Sequence, residues 1–256
     1  MKNKFTILGC GSSLGSPWIN NHWGALNKKN KKNIRSRCCA HIQYKDLSIL
    51  IDTSPDIKSQ FLKNNINNVD AIIYTHEHAD QTSGIFEMRP FFWKNKKKIP
   101  VYGSKRTIES LKDKYTFCFK PRHGYKPIMK TYVVKDNFNI FKKNNKININ
   151  AFDVKHGMIM ASGFLFCGIA YISDCNNIPN RSYKYLNNLD YLIIDCLRIK
   201  KHPSHFNLED AMSLIKKTKP KKTILTNLHV DFDYAKLKKK LPGNIMPAYD
   251  GMSIFF

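Results

Sequence analysis

One short stretch constrains this chain more than any other, and it reads Thr75-His76-Glu77-His78-Ala79-Asp80-Gln81. It directly follows the mostly apolar run 69–74, which is typical of a buried strand. Residues two apart in an extended chain point to the same side, so His76, His78 and Asp80 are predicted to converge on one point. Neutral imidazoles with a carboxylate are ligands of a catalytic zinc or manganese ion rather than of a structural one.

Length and composition limit the class of protein. A chain of 256 residues without a linker rich in proline, glycine or serine predicts one domain over residues 1–256. The apolar run 5–8 is too short for a signal peptide, and no run of about 18 apolar residues predicts a membrane span. Seven cysteines, an odd number without a Cys-x-x-Cys pair, indicate free thiols in a reducing compartment. We therefore expect a cytoplasmic protein with no membrane partner.

The net charge of +24 raises the question of nucleic acid as a partner. Lysine clusters occur at 28–32, 94–98, 216–222 and 238–240, but none is interleaved with aromatic residues as in a single-strand-binding surface. A general bias of the composition towards Lys, Asn and Ile gives the same pattern. Charge alone therefore favours a small anionic substrate, with nucleic acid as the less favoured partner.

Several predicted strands end close to a residue that can bind metal. The apolar runs 69–74, 168–172, 191–194 and 223–228 are followed by His76, Asp174, Asp195 and His229. Active sites of layered α/β folds collect at strand ends, where loops vary without disturbing the core. Helices are predicted at 54–64, 105–114, 208–216 and 234–239, and strands also at 4–8, 41–51, 99–102 and within 128–154. This order predicts two sheets flanked by helices.

Each candidate ligand taken alone has an ordinary alternative. His156 is compatible with a surface residue, Asp174 with a turn cap, and His229 with a histidine bonded inside the core. The joint order His-x-His-x-Asp, then His, Asp and His makes coincidence improbable, so a metal centre is the better interpretation.

That order and spacing resembles the metallo-β-lactamase superfamily. The resemblance implies an αβ/βα four-layer sandwich with the metal ions in the cleft between the two sheets. Other segments are similar to the branch of phosphoribosyl 1,2-cyclic phosphate phosphodiesterases, namely Gly9–Pro17, Cys38–Ala40, Leu50–Asp56, His202–Asn207 and Tyr249–Gly251. The likeness covers nearly the whole chain and implies a single metallo-β-lactamase-like hydrolase domain over 1–256.

The resemblance also implies roles for individual residues. Two divalent ions, zinc or manganese, are expected, with the ligands His76, His78 and His156 for the first, Asp80 and His229 for the second, and Asp174 between them. Such a pair lowers the pKa of a shared water and attracts a phosphoryl oxygen. His205 and Asp80 are the implied catalytic residues, His205 as the general acid, although a surface histidine is its alternative. Asp52 is expected to orient a ligand histidine from behind.

Two positions depart from the family pattern. Gln81 stands where a histidine usually completes the second metal site, and an amide oxygen binds Zn²⁺ more weakly than imidazole does. Gln81 is therefore a weak candidate ligand. Some relatives have a structural zinc near the N-terminus, but Leu26 stands in a ligand position here and His22 cannot replace the missing cysteines, so that zinc is not expected.

The sequence therefore favours a metal-dependent phosphodiesterase that hydrolyses a small cyclic phosphate or related diester, with Arg89 as a candidate phosphate contact unless it is structural. The alternatives are a nuclease of the tRNA 3′-processing type and a degenerate binding protein disabled at Gln81. A thioester or lactam hydrolase is less favoured. Whether the chain forms a homodimer is left open.

Overall fold

The computed structural model describes residues 2–121 and 124–256. Its strands are β1 Lys4–Gly9, β2 Cys39–Tyr44, β3 Leu47–Ile51, β4 Ala71–Ile73, β5 Ile99–Gly103, β6 Met129–Val133, β7 Asn137–Lys142, β8 Asn145–His156, β9 Ile159–Phe166, β10 Ile169–Ile172, β11 Tyr191–Asp195, β12 Lys222–Thr226, β13 Ile245–Pro247 and β14 Met252–Phe255. Its α-helices are α1 Ile57–Asn64, α2 Ala79–Thr82, α3 Arg89–Asn95, α4 Lys105–Lys114, α5 Thr116–Phe119, α6 Leu208–Thr218 and α7 Tyr234–Lys240.

The strands form two seven-stranded sheets. Sheet 1 has the order β14-β1-β2-β3-β4-β5-β6, and sheet 2 has the order β13-β12-β11-β10-β9-β8-β7. In sheet 1 the strands β3 to β6 run parallel, and in sheet 2 the strands β10 to β13 do so. Parallel strands covered on both faces are near-continuous apolar runs, and β3, β4 and β10 are buried along their whole length.

Three clusters of buried side chains hold the layers together. The cluster between the sheets includes Phe5, Ile42, Phe164 and Tyr171. A second cluster packs α1 and α4 on the outer face of sheet 1, and a third packs α6 and α7 on the outer face of sheet 2. The layers therefore follow the order helix, sheet, sheet, helix, and the predicted four-layer α/β sandwich is confirmed.

Most predicted elements are present with shifted ends, and one local prediction is wrong. The helix predicted from residue 54 begins at Ile57, and the helices α2, α3 and α5 and the strands β9, β13 and β14 were not predicted. The extended geometry assumed for the histidine run ends at His78, whose φ and ψ of −67° and 152° are extended. Asp80 lies in the first turn of α2, so it reaches the site from a helix and not from a strand-like segment.

The loop that precedes α6 is fixed by a capping box. The Asn207 side chain accepts a hydrogen bond from the Asp210 N–H at 2.8 Å, and Asp210 Oδ2 accepts one from the Asn207 N–H at 3.3 Å. This pair satisfies the free N–H groups of the helix start and ends the loop that carries His205. Within the described residues, no helix has the length and apolar character needed to cross a bilayer.

Candidate metal centre

Three histidines meet at the edge where the two sheets face each other. His76 Nε2 and His156 Nε2 each lie 3.1 Å from His78 Nδ1. Nitrogen ligands at 2.0–2.1 Å from a tetrahedral zinc ion lie about 3.3 Å from one another, so this spacing is typical of ligands of one ion. His76 and His156 are buried, whereas His78 is exposed and leaves the group open to solvent on one side.

Hydrogen bonds to Nδ1 of His76 and His156 decide which nitrogen of each ring carries the proton. Thr75 Oγ1 donates to Asp52 Oδ2 at 2.8 Å, so it accepts from His76 Nδ1 at 3.0 Å. His156 Nδ1 donates to the Ser204 carbonyl at 2.7 Å. Each ring therefore turns the lone pair of its Nε2 towards the shared point, which is the tautomer that a metal ion needs. Burial also lowers the pKa of His76 to about 3, which keeps the ring neutral.

Asp52 thus acts on His76 through Thr75 and not by direct contact. Its Oδ1 accepts from the Thr75 N–H at 2.8 Å as well, and its backbone has a φ of 63°. A non-glycine residue in the left-handed region at a strand end is a conformation that the surroundings must hold, and it is frequent at functional sites.

A second group contains Asp174, His156 and His205, whose ligand atoms all lie within 4.8 Å of one another. Asp174 is buried, and Gln81 Nε2 lies 3.3 Å from its Oδ2 and 3.3 Å from Asp80 Oδ2. The Gln81 amide therefore lies between the two carboxylates that were predicted to share the second ion. Gln81 is fully buried, and its Oε1 has no hydrogen-bond partner in the described structure.

His229 stands apart from this group. The set of Asp80, Asp174 and His229 is not among the three-residue ligand groups found in residues 2–121 and 124–256. His229 Nδ1 lies 3.1 Å from Asp231 Oδ1, and its ring meets that of Trp18 edge-on at 5.5 Å between centroids. The structure thus brings together His76, His78, His156 and Asp174, with Asp80 and Gln81 next to Asp174, whereas His229 belongs to neither ligand group.

His205 is paired with Asp195, a buried carboxylate that the sequence pattern places at a strand end but to which it gave no specific role. Its Nδ1 lies 2.8 Å from Asp195 Oδ2 and 3.8 Å from Asp174 Oδ1. Asn227 Nδ2 donates to Asp195 Oδ1 at 3.1 Å and to Asp174 Oδ1 at 3.4 Å, so it ties the two carboxylates together. His205 is therefore a partly buried residue of this centre and not the surface histidine that was its alternative.

The crowded carboxylates alter one another's protonation. Burial and the charge of Asp174 raise the pKa of Asp80 to about 6. Burial acts to lower the pKa of His205, but Asp195 and Asp174 overcome it and raise that pKa to about 9. Burial likewise acts to raise the pKa of Asp174, and His76, His205 and His156 overcome it and lower that pKa. Without an ion, the protonated His205 therefore offsets part of the carboxylate charge at this site.

Other residues weighed in the sequence lie outside the centre. The Arg89 guanidinium packs over the rings of Phe86 and Trp93, 4.3 and 4.8 Å from their centroids, and forms no ion pair with any described residue. The rings of His22 and Trp18 contact each other at a tilt of 37°, with 4.5 Å between their centroids. The backbone of Leu26 contacts Trp23, and no group of three metal-binding residues is found near it in the described chain.

Sequence reasoning missed Thr75, Asn227 and Ser204 as members of the site, and it noted Asp195 only as a possible ligand at a strand end and not as the partner of His205. Asp195 carried a signal, since it ends a buried strand beside the predicted ligands, and Asn227 precedes His229 by two residues. Asn227 is also buried and has a φ of 60°, which no sequence pattern indicates.

Residues 48–227 match the family model described as "Beta-lactamase superfamily domain". The chain belongs to the β-lactamase superfamily. The match spans β3 to the end of β12, and it therefore contains His76, His78, Asp80, His156, Asp174 and His205. The αβ/βα fold and this family make the chain a metallo-β-lactamase-fold, metal-dependent hydrolase.

A solved structure supports the branch as well as the superfamily. A structure described as that of a new diphosphatase from the PhnP family is 30% identical, with a TM-score of 0.91 over 100% of this chain and 98% of that one. The chain is therefore PhnP-like. Human tRNase Z, short form, is 18% identical with a TM-score of 0.70 over 98% of both chains, a likeness that concerns the fold alone.

A curated protein also matches. An octanoyltransferase of Porphyromonas gingivalis is 28% identical over 252 residues, which are 96% of this chain and 50% of that protein. The chain thus spans about half the length of the curated relative it matches. Half of a protein does not carry the activity of the whole, so this name assigns no reaction to the chain.

Proposed function

We propose that the protein hydrolyses a small phosphodiester or a related phosphoric anhydride. The observation that carries this proposal is that two groups of side chains lie next to Asp174. The first group is three histidine nitrogens arranged as ligands of one ion, and the second is the His205–Asp195 pair. The histidines suit binding of a divalent ion, and the pair suits proton transfer. The description of the PhnP-family relative as a diphosphatase supports phosphorus as the reacting centre.

His76, His78, His156 and Asp174 would hold the first ion. When bound, a divalent ion at this position supplies Lewis acidity and makes water a better nucleophile near neutral pH. Of the three histidines only His78 is exposed, so we infer that substrate and water approach the group from the side of His78.

His205 is the proposed general acid. Asp195 accepts from its Nδ1, which leaves Nε2 as the nitrogen that can deliver a proton to a departing oxygen. The buried Asp195 carboxylate also stabilises the protonated ring and holds its orientation, as an acidic partner does for a catalytic histidine. Asp80, the other predicted catalytic residue, is proposed to act as a ligand beside Asp174.

We infer that the second ion position is weaker than the first. It would use Asp80, Asp174, His229 and the amide of Gln81 in place of an imidazole. The amide contacts both carboxylates, and His229 lies outside the compact ligand groups. A neutral oxygen donor favours Mn²⁺ or Mg²⁺ over Zn²⁺ at such a position.

The experiment is a panel of substrates assayed against a series of metals. Purified protein is stripped with a chelator, reconstituted with Zn²⁺, Mn²⁺ or Mg²⁺, and offered bis-p-nitrophenyl phosphate, 2′,3′-cyclic nucleotides, a dinucleoside diphosphate, a tRNA precursor, a β-lactam and a thioester. Turnover of the phosphorus compounds only, and its loss in His78→Ala together with loss of bound metal, is the expected result. Cleavage of tRNA precursors without turnover of any small diester would instead establish the nuclease alternative. Failure to bind any ion after reconstitution would establish the degenerate binding protein.

A further inference from the structure

Two lysine clusters that are about 200 residues apart in sequence both contribute to one concave surface of the protein, through Lys32 from the first cluster and Lys238 and Lys239 from the second. Lys28, Lys29, Lys31 and Lys32 come from the N-terminal segment, and Lys236, Lys238, Lys239 and Lys240 come from α7; all eight are exposed. We call these eight residues the lysine face. Between its two halves lies a concave surface of about 510 Å³, lined by Asn30, Lys32, Tyr234, Ala235, Lys238 and Lys239.

Buried hydrogen bonds hold the two halves together. Asn33 Nδ2 donates to Asp233 Oδ2 at 2.6 Å, and Asn33 Oδ1 accepts from the Tyr234 N–H at 2.8 Å. The buried Arg35 donates to the Phe232 carbonyl at 2.6 Å and to the His229 carbonyl at 3.4 Å. The lysine face is thus a fixed surface, and the same contacts connect it to the segment that carries His229.

The positive charge of this face is not balanced within the chain. None of the eight ammonium groups lies within 4 Å of an acidic side chain of the described residues, and the nearby Asp233 is buried and bonded to Asn33. Lys32 instead packs over the rings of Tyr234 and Tyr249, 4.7 and 4.3 Å from their centroids. Crowded like charges on a rigid concave surface repel one another, and a polyanion relieves that repulsion.

We propose that the lysine face binds the phosphate backbone of a nucleic-acid strand. A bilayer fits less well, because the apolar side chains of α7, Tyr234 and Leu237, are buried and offer no face for insertion. Lysines without acidic partners suit a phosphate backbone, because they neutralise its charges and release the counterions that it holds.

The test measures binding of fluorescein-labelled single-stranded RNA and DNA 20-mers by anisotropy, in EDTA, over a series of salt concentrations. The triple variant Lys238→Glu/Lys239→Glu/Lys240→Glu is compared with Lys97→Glu/Lys98→Glu/Lys112→Glu, which changes the net charge equally at exposed lysines elsewhere. We expect the first variant to bind at least about tenfold more weakly and its slope of log K against log salt to fall by about 2, since each phosphate contact contributes about 0.7. The second variant should bind as the wild type does.

Equal weakening in both triple variants, or in neither, would overturn the proposal, because net charge and not this face would then govern binding. Wild-type binding to phosphatidylserine vesicles that is lost in the first variant, without oligonucleotide binding, would overturn it in favour of a membrane. Should the α7 variant fail to fold by circular dichroism, Lys28→Glu/Lys29→Glu/Lys31→Glu tests the other half of the face. Because binding is measured in EDTA, its failure is distinct from a failure of the proposed hydrolysis.

Discussion

Asp52 contacts Thr75 twice, with one carboxylate oxygen on its N–H and the other on its hydroxyl, both at 2.8 Å. The hydroxyl passes this constraint to His76 Nδ1, so a residue at the end of β3 decides which nitrogen of His76 is free. Partners behind a ligand histidine commonly change metal affinity by 10–100-fold when they are lost.

Asp52→Asn should therefore weaken binding of the first ion by about 10–100-fold, because an amide nitrogen cannot accept from the Thr75 hydroxyl. Isothermal titration calorimetry of the metal-stripped protein measures the effect. Thr75→Ser, which keeps the hydroxyl, is the matched control and should bind as the wild type does. Unchanged affinity in a folded Asp52→Asn protein would show that the contact does not influence His76.

The proposed role of His205 predicts a dependence on the leaving group. His205→Gln should lower turnover of an alkyl phosphodiester by about 10²–10⁴-fold, because its leaving oxygen needs a proton. Turnover of a p-nitrophenyl ester should fall far less, since p-nitrophenolate departs unprotonated. Metal content, measured by inductively coupled plasma mass spectrometry, should be unchanged. An equal loss for both esters would refute the role as general acid.

Gln81→His should convert the weak second position into a tighter one. The imidazole would replace an amide that contacts both Asp80 and Asp174, and histidine is the stronger ligand for Zn²⁺. Titration should then show a second zinc ion per chain at concentrations where the wild type binds one. Gln81→Ala removes the amide without adding a ligand and should not gain the second ion. Identical zinc titrations of the wild type and the histidine variant would remove Gln81 from the ligand positions.

His41 predicts how stability responds to acid. Its Nε2 lies 2.8 Å from Ser48 Oγ, whose own proton is donated to the Asn68 carbonyl, so the buried ring donates through Nε2 and its Nδ1 is the nitrogen that would take up a further proton. Burial, with a smaller effect of Lys4, lowers the pKa of His41 from 6.5 to about 3. Below pH 6.5 the unfolded chain takes up a proton that the folded chain refuses, so stability is lost as pH falls from 6.5 towards 3.

Between pH 7 and pH 5 this one group should remove about 2 kcal/mol from the free energy of unfolding. His41→Gln should lose less stability over that interval by about the same amount, as measured by urea denaturation at each pH. His22→Gln, at an exposed position, is the control. Parallel pH profiles for the wild type and His41→Gln would contradict the prediction.

The elements that the sequence predicted correctly are those determined by residues close to one another in the chain. Buried runs such as 191–194 and the cap Asn207 depend on local pattern, and both are present. The first turn of α2 was missed because no side-chain cap marks its start at His78. Pro90 at the start of α3 was a usable signal, since proline is favoured in the first turn of a helix.

The same distinction between local sequence and tertiary contacts applies to the residues of the site. Ligand candidates stand at strand ends and repeat at short spacing, so the chain itself indicates them. The pairing of Asp195 with His205, and of Ser204 with His156, depends on how a loop returns across sheet 2. The lysine face could not be predicted from local sequence either, because only the fold brings residues 28–32 and 236–240 together.

The ligand set is divided between the two sheets: His76, His78 and Asp80 follow β4 of sheet 1, whereas His156 ends β8 and Asp174 follows β10 of sheet 2. An ion bound by both groups is a cross-link between the halves of the sandwich, and neither half can form it alone. Binding energy at the centre would then oppose any sliding of one sheet on the other. Metal affinity would therefore depend on the alignment of the two sheets, and so on the packing of the side chains between them.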